Sequence, residues 1–153
     1  MLDDFSKKFI MSTAPFVIER VYDSPLDKVW DAITNVQKMR EWYFDLPAFE
    51  ARVGFTFSFR GKGSKGEEYV HLCEVVEVVE LKKLSYTWKY EGYPGNSTVS
   101  FELFPEGAKT RVKLTHAGLD SFPQNTPDFA VSSFAAGWNE IIGSSLKKYL
   151  EKI

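Results

Sequence analysis

The side chains with the most distinctive chemistry in this chain are two histidines, His71 and His116, and one cysteine, Cys73. An imidazole titrates near neutrality, so a histidine facing a pocket can orient a polar ligand group or carry a proton as general acid or base. His116 shares its alternation with Val112 and Leu114, which points it inward near a strand end. His71 and Cys73 are same-face neighbours on one strand, and if that face is the inner one, His71 is a second polar pocket residue. The three together invite a metal reading. Zinc needs three or four ligands in suitable geometry, and neither CxxC nor HxxxH spacing occurs, so no metal or cofactor is expected. Tyr86 adds a phenolic hydroxyl of the kind that fixes a ligand's orientation.

Around these polar groups stands a large aromatic set. The chain has 13 Phe, 7 Tyr and 4 Trp, an aromatic fraction of 16%. Flat faces line a space well, and Trp42, Phe57, Tyr86, Trp88, Phe134 and Trp138 are the expected walls of a cavity. The competing expectation is that they pack on one another and close it.

Three patterns look like chemistry and are not. Gly61-Lys62-Gly63-Ser64-Lys65-Gly66 fits GxGxxG. A phosphate loop needs a helix immediately after it, whereas Glu67 to Val79 reads as strand, so this is a hairpin tip. Asn96-Ser97-Thr98 is a glycosylation sequon without a secretory signal to give it meaning. Asp120-Ser121 with His116 lacks a nucleophile elbow.

The elements that must position these residues follow from periodicity. Phe16 to Tyr22 alternates as a strand. Ser24-Pro25 starts a helix, with Ser24 as its cap, Pro25 at the first helical position, and Leu26, Val29, Trp30 and Ile33 on one face. Asn35 breaks it, and Val36 to Trp42 forms a second short helix. Phe55, Phe57 and Phe59 then alternate in a strand. Tyr69 to Val79 is a longer one whose valine doublets indicate a bulge. Leu84, Tyr86 and Trp88 point inward, as do Val99, Phe101 and Leu103. Turns fall at Tyr93-Pro94-Gly95-Asn96 and Pro105-Glu106-Gly107. From Pro127 to Ile153 the period becomes helical, and Val131, Phe134, Trp138, Ile141, Ser145 and Tyr149 share a face. At the start, Leu2, Phe5 and Phe9 sit at helical steps; either residues 1–15 are an extension with a short amphipathic turn, or Met11 is the true start.

The length of 153 residues suits one domain, taken as 16–153. A net charge of −2 argues against nucleic acid as partner, no apolar run is long enough for a membrane span, and a single cysteine without a signal peptide points to the cytoplasm. The order of elements predicts an α+β fold: a curved antiparallel sheet of six or seven strands wrapped on a long C-terminal helix, with two short helices after the first strand.

This ordered set resembles the helix-grip, START-like SRPBCC superfamily, and within it the homologues of the activator of heat-shock protein 90 ATPase. The residues that carry it are Val17-Ile18-Glu19-Arg20-Val21-Tyr22 with Ser24-Pro25, Val29-Trp30-Asp31-Ala32-Ile33, Met39 to Trp42, Leu84-Ser85-Tyr86-Thr87-Trp88, Thr110 to His116, Gly137-Trp138 and the Leu146 to Leu150 tail. The resemblance implies a seven-stranded sheet and a ligand cavity between sheet and terminal helix. The expected function is binding of a small hydrophobic or amphipathic molecule by Trp42, Phe57, His71, Tyr86, Trp88, His116, Phe134 and Trp138. One alternative is a protein-interaction module for a chaperone, on resemblance alone. The other is a cyclase- or hydrolase-like enzyme using His116, His71 or Tyr86. The protein is expected as a monomer or homodimer.

Overall fold

Alternation of apolar and polar residues builds the sheet directly. In the computed structural model, which describes residues 14–153, the strands are β1 (Phe16–Tyr22), β2 (Thr56–Lys62), β3 (Glu68–Val79), β4 (Lys83–Tyr90), β5 (Ser97–Glu106) and β6 (Lys109–Ala117). Ser97, Val99, Phe101 and Leu103 of β5 are buried, as are Thr110, Val112, Leu114 and His116 of β6. The expected inward parity therefore holds for both. His71 and Cys73 also face inward, beside Tyr69 and Val75 on β3.

The strands form one antiparallel sheet in the order β1-β6-β5-β4-β3-β2. Registry places Phe16 opposite His116, His116 opposite Val99, Val99 opposite Tyr86 and Tyr86 opposite Val75, one row across five strands. A second row joins Phe59, His71 and Tyr90. The expected bulge lies between Val75 and Glu77. Among the described residues the strands number six, where the resemblance implied seven. The stretch before β2 stays irregular: Gly54 and Phe55 exchange backbone bonds with Val75 beside the bulge, without extending into a strand.

Two short helices, α1 (Leu26–Thr34) and α2 (Val36–Trp42), follow β1. Ser24 does not cap α1. Pro25 is the capping residue, its carbonyl accepting from the amides of Lys28 and Val29, while the Ser24 carbonyl accepts from Thr110 Oγ1 at 2.8 Å. Asn35 ends α1 and caps α2, its side chain accepting from the Gln37 amide at 3.0 Å.

The terminal helix lies against the inner face of the sheet. It runs as α3 (Val131–Glu140), a π-helical segment (Ile141–Ser145) and α4 (Leu146–Lys152), preceded by a 3₁₀ turn at Pro127–Phe129. Phe134 and Trp138 are buried as expected, but the stripe then continues through Ile142 and Leu146, not Ile141 and Ser145. The wider π turn explains the change: each turn there takes more residues, so the inward position slips by one. Tyr22 donates its hydroxyl to the Ile142 carbonyl inside that segment at 2.5 Å, giving a buried phenol its partner. Val131, expected on the inner face, is 47% exposed at the first turn of α3. No helix of the described residues is long and apolar enough to cross a membrane. The turn expected around Leu2, Phe5 and Phe9 lies outside the described residues.

Candidate functional site

The eight side chains expected at the site fall into three places. Trp42, Phe57 and Tyr86 form one buried group, with Trp42 at the end of α2. Trp42 donates its indole N–H to the Ala32 carbonyl at 2.8 Å, locking α2 onto α1. Phe57 meets Tyr86 edge-on with ring centroids 5.1 Å apart. The Tyr86 hydroxyl lies 2.6 Å from that of Tyr43, and burial raises both phenols well above their ordinary range.

Trp88, His116, Phe134 and Trp138 make the centre. His116 is fully buried. Trp138 Nε1 donates to His116 Nδ1 at 3.0 Å, and an indole N–H can only donate. Nδ1 is therefore the acceptor, and the neutral ring carries its proton on Nε2. That proton goes to Ser97 Oγ, 2.8 Å away, and Ser97 in turn donates to the Trp88 carbonyl at 2.7 Å. Every polar atom of the chain Trp138–His116–Ser97–Trp88 is thus engaged. Burial among Trp88, Phe134 and Trp138 pushes the imidazole down to about 3. Nδ1 thus holds the terminal helix on the sheet, and Nε2 ties β6 to β5. Trp138 itself is 2% exposed and packs tilted against Trp88, with ring centroids 5.6 Å apart.

His71 stands apart, at the open end of the grip. Its ring lies flat on Phe59, 4.3 Å between centroids, with Trp88 edge-on at 4.8 Å and Tyr90 tilted at 4.7 Å. Nδ1 lies 3.3 Å from the Phe59 carbonyl. Burial pushes this imidazole down to about 4, against the opposing pull of the Phe59 and Tyr69 carbonyls. A depression of about 380 Å³ opens here, lined by Phe44, Tyr69, His71, Tyr90, Asp128 and Ser133 together with the backbone of the β2–β3 hairpin from Gly61 to Ser64. This volume lies within the range of small-molecule sites, roughly 300–1,000 Å³.

Asp128, in the 3₁₀ turn before α3, holds the hairpin over this opening. One carboxylate oxygen accepts from the Ser64 amide at 3.1 Å and the other from the Tyr69 hydroxyl at 2.8 Å. The Ser64 amide first, and then the Tyr69 hydroxyl, hold its carboxyl below the usual range. The glycines of the hairpin serve close approach. A methyl group at Gly61 would sit 2.9 Å from His71 Cε1, and one at Gly63 would overlap the Asp128 carboxylate and lie 2.7 Å from the Tyr69 ring. The GxGxxG letters thus spell a tethered hairpin, and β3 follows it where a phosphate loop would need a helix.

Sequence reasoning missed five of these residues, Phe44, Tyr69, Tyr90, Asp128 and Ser133. Tyr90 continues the alternation of Leu84, Tyr86 and Trp88, and Tyr69 shares parity with His71, so both carried a signal. Phe44 and Asp128 carried none, because tertiary closure alone brings them to the mouth. Cys73 is buried, and burial raises its thiol, leaving it unreactive. Ser121 spends its hydroxyl on the Asn96 and Gly118 carbonyls in a turn. Among the described residues no three His, Cys, Asp or Glu side chains are grouped to hold a metal.

A sheet gripping a terminal helix, with short helices closing one end and a pocket at the other, defines a helix-grip domain. The family model described as "Activator of Hsp90 ATPase homolog 1-like protein" matches residues 23–151, and the chain belongs to that family. Solved structures agree. Protein MLL2253 from Mesorhizobium loti is 27% identical with a TM-score of 0.73, covering 90% of this chain and 97% of that one. Mll3558 from Rhizobium loti is 22% identical with a TM-score of 0.77, over 90% and 96%. DynU16, a protein in the dynemicin biosynthetic locus, is 22% identical with a TM-score of 0.72; the match covers 90% of this chain and 47% of that chain. No curated protein matches.

Proposed function

We propose that this protein binds a small hydrophobic or amphipathic molecule, and that it does so at the mouth of the grip. The observation that carries the reading is the pocket of about 380 Å³ walled by Phe44, Tyr69, His71 and Tyr90. Behind it Trp88 stands edge-on to His71, with His116 and Trp138 packed on Trp88. Trp42, Phe57 and Tyr86 do not line this pocket and reach a ligand only if the inner packing opens. DynU16's place in a biosynthetic locus fits a role in handling small molecules. The test is native mass spectrometry and thermal shift against a panel of lipids and aromatic compounds. A bound species and a rise in Tm are expected, both reduced by Tyr90→Ala. No binding by any compound contradicts the reading.

A second reading, contact with a chaperone ATPase, follows the family description. The surface that favours it is an apolar groove of about 550 Å³ at the opposite end of the sheet, formed by Leu26, Val79, Leu81, Leu103, Phe104 and Pro105. Leu81 holds a left-handed backbone there, φ 65°, a conformation that disfavours a leucine. Pull-down with the chaperone and its ATPase rate decide this; an unchanged rate counts against it. Catalysis by His116 draws no support from its geometry, since both ring nitrogens are engaged.

A further inference from the structure

We propose that the mouth pocket takes a neutral aromatic molecule carrying an O–H or N–H donor, which it directs at Nε2 of His71. The inference rests on the binding reading above and specifies its ligand. Nδ1 of His71 faces the Phe59 carbonyl, and a carbonyl can only accept, so the neutral ring carries its proton on Nδ1. Nε2 is then an acceptor. It has no hydrogen-bond partner among the described residues, and none of their buried side-chain nitrogen or oxygen atoms lacks a partner. The ring lines the open space, although the residue as a whole is only 6% exposed.

The ring cannot turn away to find another partner. Phe59 covers one face, Trp88 stands edge-on, Tyr90 lies tilted against it, and Cε1 fills the space that a side chain at Gly61 would need. A lone pair fixed in an aromatic wall recognises a donor and rejects a molecule that lacks one, because the buried acceptor would be left dry. The walls set the rest of the specificity. Phe44, Tyr69 and Tyr90 favour a flat partner. The Asp128 carboxylate faces the same space, its oxygens already taken by Ser64 and Tyr69, and with the imidazole lone pair it repels an anion. Lys62, on the rim, is exposed and gives an anion only a screened attraction.

The experiment is isothermal titration of the full chain with three matched probes: 1-naphthol, 1-methoxynaphthalene and 1-naphthoate. The first should bind about five- to tenfold more tightly than the second, the worth of one net hydrogen bond, and the third most weakly. In His71→Phe, which keeps a flat ring, the ratio of affinities for 1-naphthol and 1-methoxynaphthalene should fall to about one. Equal binding of the first two by the unaltered protein overturns the donor inference and leaves the binding reading standing; failure of all three overturns both. Imidazole ¹⁵N spectra of the unaltered protein provide a readout independent of any variant. Nε2 should be the unprotonated nitrogen and should shift with 1-naphthol, and an Nε2–H tautomer contradicts the proposal.

Discussion

At the residue scale the two histidines have opposite tasks. His116 is consumed by structure: it accepts from Trp138 and donates to Ser97 with no nitrogen left over. His116→Phe keeps the volume but strands the buried Trp138 N–H, and urea unfolding should register a loss of about 2–4 kcal/mol. Both imidazoles titrate, in the folded state, below the ordinary value of 6.5, His71 at about 4 and His116 at about 3. On acidification the unfolded chain takes up these protons first. Above about pH 6.5 the histidines therefore leave stability flat; between there and about pH 4 each lowers it by at most about 1.4 kcal/mol per pH unit. Urea midpoints across that range check the sign, and His116→Phe should flatten the slope. The inward direction of His116 was legible from its parity with Val112 and Leu114. Its partners were not, since Ser97 and Trp138 come from a different strand and the terminal helix.

The terminal helix and the β2–β3 hairpin are the elements on which the site depends. Trp138 reaches from the helix into the sheet's aromatic face, and Trp138→Ala should cost about 3–5 kcal/mol in urea unfolding. A loss below about 1 kcal/mol would mean that the helix is not gripped there. The helical period showed Phe134 and Trp138 plainly. The slip to Ile142 and Leu146 was hidden, because the sequence carries no mark of a π turn. At the hairpin, Asp128→Ala removes the acceptor of the Ser64 amide. Hydrogen exchange at Ser64 should then accelerate by about tenfold or more, with the core strands unchanged. Unaltered exchange would show that Asp128 does not restrain the tip. The glycine pattern marked a hairpin correctly, yet the close approach of Gly61 to His71 and of Gly63 to Asp128 is a product of tertiary packing.

For the molecule as a whole, the architecture was legible because its signals are periodic: alternation in β5 and β6, helical steps at the end, punctuation between. The place of the free space was not. Sequence pattern assigns side chains to an inner face but does not say whether facing aromatics meet or stand apart. Here Trp88 meets Trp138 and Phe57 meets Tyr86, and room remains at the end where His71, Tyr69 and Tyr90 line an opening under a tethered hairpin. The most direct measurement is a ¹H–¹⁵N and aromatic ¹H–¹³C NMR titration of the full chain with 1-naphthol. Shift changes should concentrate on Gly61 to Ser64, His71, Tyr69, Tyr90 and Ser133. Changes confined to the far groove around Leu81, Leu103 and Phe104, or none at saturating ligand, would contradict a binding site at the mouth of the grip.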